Sequence, residues 1–232
     1  MGGINEPIEA KATPNTLYVL NPMNSLSIPP LTVCGLEELE SYDTRAVTHV
    51  LSILDPDWPD PDAFWAYDPD HWTILRFHDA IEPMPDLIVP EFRHVEAIMT
   101  FGRAIADNAA LHGRTHLLVH CHAGISRSTA AMIVLLAQAR PNENEDRLFE
   151  CLLRMRPQAW PNSRMVSFAD GLLRRGGNLT AALGRLYARQ LRAKPELDDI
   201  MRRVGRGREL DLARTYSSRG DTSRVIQSDC RV

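Results

Sequence analysis

The nine residues His120-Cys121-His122-Ala123-Gly124-Ile125-Ser126-Arg127-Ser128 carry the densest group of reactive side chains in the chain. They join an apolar run, Thr115–His120, to a second, Ser128–Ala139, which reads as a buried strand leading into a buried helix. A helix start leaves backbone N–H groups unpaired, and its dipole makes that point attractive to anions. Gly124 permits the turn that aims several N–H groups at one centre. A cysteine at the mouth of such a nest has its thiolate stabilised. Arg127, six residues after Cys121, brings a planar fork able to grip two oxygens of a phosphate. A nucleophile, an anion cradle and a fixed cation therefore meet at one point, the requirements of nucleophilic chemistry on an oxyanion such as phosphate.

The elements that must hold this loop follow from periodicity. Residues 1–16 are a loose lead-in with Gly2, Gly3, Pro7 and Pro14. Short strands are predicted at Leu17–Leu20 and Leu31–Cys34, and a short helix over about 35–43. Thr48–Leu54 is a buried strand stopped by Asp55-Pro56, and the following stretch, dense in Asp and Pro, is a surface loop. Thr73–Phe77 is the next strand, and Asp79–Pro90 a second Pro-rich loop. A helix is predicted from about Val89 to Leu111, with Phe92, Val95, Ile98, Met99 and Ile105 on its inner face. Further helices are expected at Ser128–Ala139, Glu143–Met155, 165–174 and 178–204. Strands alternating with helices predict an α/β fold, a central largely parallel sheet flanked by helices with a helical C-terminal extension. The division is a lead-in (1–16), a catalytic domain (17–175), a helical basic extension (176–214) and a disordered tail (215–232).

The loop resembles the signature HCxxGxxR[ST] of the cysteine-dependent protein tyrosine phosphatase superfamily, matched at every fixed position. The Ser126-Arg127-Ser128-Thr129-Ala130-Ala131 ending, Arg156-Pro157 and Pro161-Asn162 look most like the dual-specificity branch. The resemblance covers about residues 17–175 and implies a tyrosine phosphatase-like fold. It implies that Cys121 attacks phosphorus and forms a cysteinyl-phosphate. Arg127 and the backbone N–H groups of His122, Ala123, Gly124, Ile125, Ser126 and Arg127 would bind the phosphate oxygens. Ser128 would hydrogen-bond the sulfur, His120 would buttress the loop, and the His122 side chain would face outward.

Relatives take the leaving-group proton from an Asp on a mobile loop ahead of the signature. Trp58-Pro59-Asp60 has the letters of the classical acid loop but follows the earlier strand, with Thr73–Phe77 still to come. Asp79 closes that later strand and is the chosen general acid, with Asp86, Glu82 and Asp60 as alternatives and His78 beside it. The reaction implied is hydrolysis of phosphotyrosine, and of phosphoserine or phosphothreonine, on proteins without a metal. A phosphatase for lipid or polyol phosphates is the alternative, although the loop interior carries no Lys or Arg. A catalytically silent phospho-binding module would normally lack the Cys or the Arg, and a rhodanese-type sulfur carrier does not fit the signature.

Composition narrows the rest. At 232 residues, 44% hydrophobic and 24% charged, the chain is neither disordered nor collagen-like. No apolar run approaches the length of a membrane span, and Met1–Ala12 has no secretory pattern, so the expected setting is the cytoplasm. Cys34, Cys121, Cys151 and Cys230 are far apart, as suits reduced thiols, although Cys34 or Cys151 could form a protective disulfide with an oxidised Cys121. Scattered histidines and the lack of GxxxxGK[ST] argue for no metal and no nucleotide cofactor. Residues 172–232 carry 14 Lys and Arg against 7 Asp and Glu, within a net charge of −4. That basic stretch reads as an arm for an acidic partner or as a solvated Arg-rich helix. Its one aromatic platform of note, Tyr187, is too little for nucleic-acid binding. The expected partner is a phosphorylated protein or a small phosphomonoester.

Overall fold

The computed structural model describes residues 16–19, 28–42, 47–60, 72–112 and 115–217. Among the described residues five strands form one sheet: β1 (Thr16–Val19), β2 (Ile28–Cys34), β3 (His49–Leu54), β4 (Trp72–Arg76) and β5 (Leu117–His120). Their spatial order is β1-β2-β5-β3-β4, with β1 antiparallel to β2 and every other pairing parallel. The fold class is thus α/β with a largely parallel central sheet.

The strands are apolar on both faces because both faces are covered. Leu117, Val119, Leu51, Ile53, Leu31 and Val33 point into the larger core, and the intervening Leu118, Val50, Leu54 and Cys34 into a smaller one. The smaller cluster is closed by the 3₁₀ helix Leu36–Ser41 through Leu39, and by Tyr42 and Val47. The larger core lies beneath α1 (Phe92–His112), α2 (Arg127–Ala139), α3 (Glu145–Met155), α4 (Ser163–Leu172) and α5 (Asn178–Ala193). Helix α2 is buried from Arg127 to Ala137, in keeping with its apolar character on all sides. Helix α1 begins at Phe92 rather than at Val89, as expected of a chain in which Pro90 bars the residue before it from helical geometry.

The single helix expected over 178–204 is two. Lys194 ends α5, Pro195 follows, and α6 (Leu197–Arg203) starts anew; α7 (Gly207–Ser217) completes the chain as described. Helix α7 lies close along α5 at Gly184, where a Cβ would sit 2.3 Å from the Tyr216 ring. Residues 1–15, the Asp-rich loop over 61–71 and the tail from 218, including Cys230, fall outside the described residues.

Candidate active site

Parallel strands all end on one edge of the sheet, and every candidate residue sits on that edge. Cys34 of β2 and Ser52 of β3 are both in register with His120 of β5. Gly35, Asp55, Asp79 and Cys121, scattered along the chain, therefore emerge side by side, where ligands bind in open α/β sheets.

The loop after β5 has its carbonyls turned outward, each to a named donor. His122 O accepts from Leu36 N at 2.9 Å, and Ala123 O and Gly124 O accept from Arg156 NH2 and Nε, both at 3.0 Å. Ile125 O accepts from Trp160 N at 2.9 Å and Ser126 O from Asn162 N at 3.3 Å. With the carbonyls held outside, the N–H groups of this turn are left to the inside; among the described residues no backbone carbonyl takes those of 123–126. Gly124 has φ +68°, and a Cβ there would lie 2.6 Å from the Cys34 carbonyl carbon. Only glycine fits both the conformation and the space. Arg156 is itself fixed by Glu38, whose Oε1 accepts from NH1 at 2.7 Å while Oε2 takes Gly35 N–H at 2.7 Å. Burial opposes ionisation of Glu38, but Arg156 and the Gly35 N–H outweigh it and hold the carboxyl below its usual range.

Cys121 is 2% exposed, with Sγ 3.2 Å from the hydroxyl of fully buried Ser128. The buried Arg127 donates through NH1 to Asp55 Oδ1 at 2.6 Å and to Phe77 O at 2.7 Å. Its Nε is also buried and has no hydrogen-bond partner among the described residues. A buried donor in that state calls for an acceptor. His120 bonds Ser52 Oγ through Nε2 at 2.6 Å, and Ser52 accepts from Trp72 Nε1 at 3.0 Å. Burial pushes the His120 pKa down to about 3, so the ring is a neutral support for the strand end.

Asp79 reaches the loop from the segment after β4. One oxygen, Oδ1, collects Ser126 Oγ at 2.8 Å, Asn162 Nδ2 at 2.9 Å and the guanidinium of Arg206 at 2.5 Å. Burial would raise its pKa, yet the charges of Arg206 and Arg127, with the Asn162 and Ser126 donors, hold it below the usual carboxylate range. Of the four carboxylates weighed for the acid, only Asp79 bonds the loop among the described residues. Asp60 pairs with Arg76, Glu82 with Arg208, and Asp86 is exposed at φ 62°.

His122 does not simply face outward. Its Nε2 accepts from Asp55 N at 3.2 Å, and the Trp58 ring meets it edge-on at 4.5 Å. Burial and the neighbouring Arg127 lower its pKa, in keeping with Nε2 as an acceptor. Trp58 thus lies beside the loop although Asp60 does not act on it. Asp55 and Arg206 also belong to the site. Asp55 carried a signal, as a carboxylate ending a buried strand; Arg206 carried none.

Among the described residues no cluster of His, Cys, Asp and Glu is disposed to hold a metal, and no helix is long and apolar enough to cross a membrane. No protein-family model matches the sequence, and no curated protein does at significant similarity. Solved structures do resemble it. The PTP-2 phosphatase of Cydia pomonella is 17% identical with a TM-score of 0.47, over 61% of this chain and 84% of that one. The Yvh1 phosphatase domain from Chaetomium thermophilum is 24% identical with a TM-score of 0.43, over 64% and 93%. Human DUSP28 is 20% identical with a TM-score of 0.43, over 62% and 94%. Those matches are tyrosine and dual-specificity phosphatases. With identities below 25% and TM-scores below 0.5, the function is left to be read from the loop itself.

Proposed function

We propose that the chain is a metal-independent phosphatase of phosphotyrosine, and of phosphoserine or phosphothreonine, on proteins. The observation that carries this reading is a loop with its carbonyls tied outward around Cys121 and beside an Arg127 whose buried Nε has no acceptor among the described residues. A phosphate dianion supplies acceptors for both the inward N–H groups and the guanidinium. Cys121 Sγ attacks phosphorus while the bond to the ester oxygen breaks, and Asp79 gives that oxygen its proton. In the second step Asp79 takes a proton from water as it attacks the cysteinyl-phosphate. The Ser128 hydroxyl, 3.2 Å from Sγ, stabilises the departing thiolate. His120 supports the strand end and takes no proton in this scheme. No cofactor is needed, and reduced, buried Cys34, Cys121 and Cys151 suit a cytoplasmic setting.

The test is hydrolysis of para-nitrophenyl phosphate in EDTA by the wild type, Cys121→Ser and Asp79→Ala. Turnover should survive EDTA, stop with vanadate, and fall below about 1% in Cys121→Ser. With phenyl phosphate, Asp79→Ala should lower kcat by about 10²–10⁴. Residual turnover above about 1% in Cys121→Ser would sink the covalent mechanism.

A further inference from the structure

The loop and Asp79 are held not only from within 17–175 but from the far end of the chain. Arg206, in the turn between α6 and α7, is 6% exposed. Its NH2 group donates to Asp79 O at 3.1 Å and Ser126 Oγ at 3.0 Å, besides pairing with Asp79 Oδ1. Its NH1 group bonds both oxygens of Glu209, at 3.1 and 3.2 Å. Glu209 is fully buried and is itself over-determined, accepting from Trp160 Nε1 at 2.6 Å and Ser163 N at 2.9 Å, with the Tyr187 hydroxyl at 3.1 Å. The segment read as an arm for an acidic partner or as a solvated Arg-rich helix therefore supplies a buried cation to the site. Tyr187 is no exposed platform but is buried and stacked on Trp160 at 4.4 Å.

We propose that Arg206 is the positioning residue for Asp79, anchoring Oδ1 so that Oδ2 alone carries the proton exchanged with the leaving group. The proposal rests on the phosphatase reading above. Three donors converge on Oδ1, and among the described residues none is directed at Oδ2. A carboxyl fixed by one oxygen presents the other in a constant direction, which is what general acid catalysis requires of geometry. Ser126 belongs to the phosphate loop, so the same guanidinium ties the position of the acid to that of the loop. Other charged or titratable groups also act on Asp79: Arg127 at the start of α2, His122 in the loop, and Tyr187 on α5. Arg206 contributes the strongest attraction among them, and Glu209 behind it partly offsets that charge.

The experiment compares kcat/KM against pH for the wild type and Arg206→Met on two esters. One is phenyl phosphate, whose leaving group needs a proton; the other is difluoromethylumbelliferyl phosphate, whose leaving group departs as a stable anion. Without Arg206 the Asp79 carboxyl gains protons more readily. The loss of activity on the basic side should then move to higher pH by about one unit. At the optimum, phenyl phosphate turnover should fall about tenfold more than that of the fluorogenic ester. Arg206→Lys keeps the charge and should hold the basic limb near its wild-type position. Because Arg206→Met strands Glu209, the pair Arg206→Met with Glu209→Gln is run beside it, leaving no lone buried charge. An equal loss on both esters with an unmoved limb would overturn the proposal, for Arg206 would then be structural only. A wild type inert toward both esters would overturn the phosphatase reading, and this proposal with it.

Discussion

At the scale of residues, the telling contact is between Arg127 and Asp55. The carboxylate grips NH1, which is also held by Phe77 O, and so leaves Nε as the open edge of the fork. Asp55 thereby orients Arg127 rather than merely neutralising it. Asp55→Ala should lower kcat/KM for a phosphate ester by about 10–100-fold through misplacement of the guanidinium, measured by steady-state kinetics. An unchanged kcat/KM would mean that Phe77 O and the surrounding packing suffice. Cys121, Gly124, Arg127 and Ser128 were legible in the sequence because they are contiguous, and the spacing of one loop is written in a single string. Asp55 and Arg206 were not, because each reaches the loop from a separate segment, 72 positions from Arg127 and 80 from Ser126. Such pairings are set by the register of the sheet and by helix docking, which no local pattern encodes.

At the scale of elements, the loop keeps its shape through contacts with β2 and with the turn between α3 and α4. Gly124→Ala puts a Cβ against the Cys34 carbonyl and forces a side chain into the left-handed region. The conformation alone costs about 1–2 kcal/mol, before the clash is counted. The variant should bind vanadate at least about tenfold more weakly, by calorimetry, and unfold at lower urea. Equal affinity would show that the loop can shift away from Cys34 at no cost. The strands β3, β4 and β5 and helices α2 and α3 were readable from apolar runs and stops. The apolar pattern runs through the break at Pro195 and hides it, because the proline bars the helix regardless of pattern.

At the scale of the whole molecule, stability and site share the same buried polar groups. His120 stays neutral in the fold, with its pKa pushed down to about 3, and would be protonated in the unfolded chain below about 6.5. The unfolded state then binds the extra proton, so stability falls with acid, by up to about 1.4 kcal/mol per pH unit between these values. Urea midpoints from pH 6 to pH 4 should show a shallower acid slope for His120→Asn than for the wild type; equal slopes would place the acid sensitivity elsewhere. The basic character of residues 172–232 was plain in the sequence, but not that one of those arginines would be buried, since charge counts carry no depth. The Arg206–Glu209 pair has a consequence for descent. Losing Arg206 alone leaves Glu209 buried without its counter-charge, a deficit of about 3–5 kcal/mol, whereas losing both removes that deficit from the fold but also takes the anchor from Asp79. Drift across that valley needs two changes at once. Lineages carrying the pair are therefore entrenched in it, and homologues without the arginine should also lack the buried glutamate.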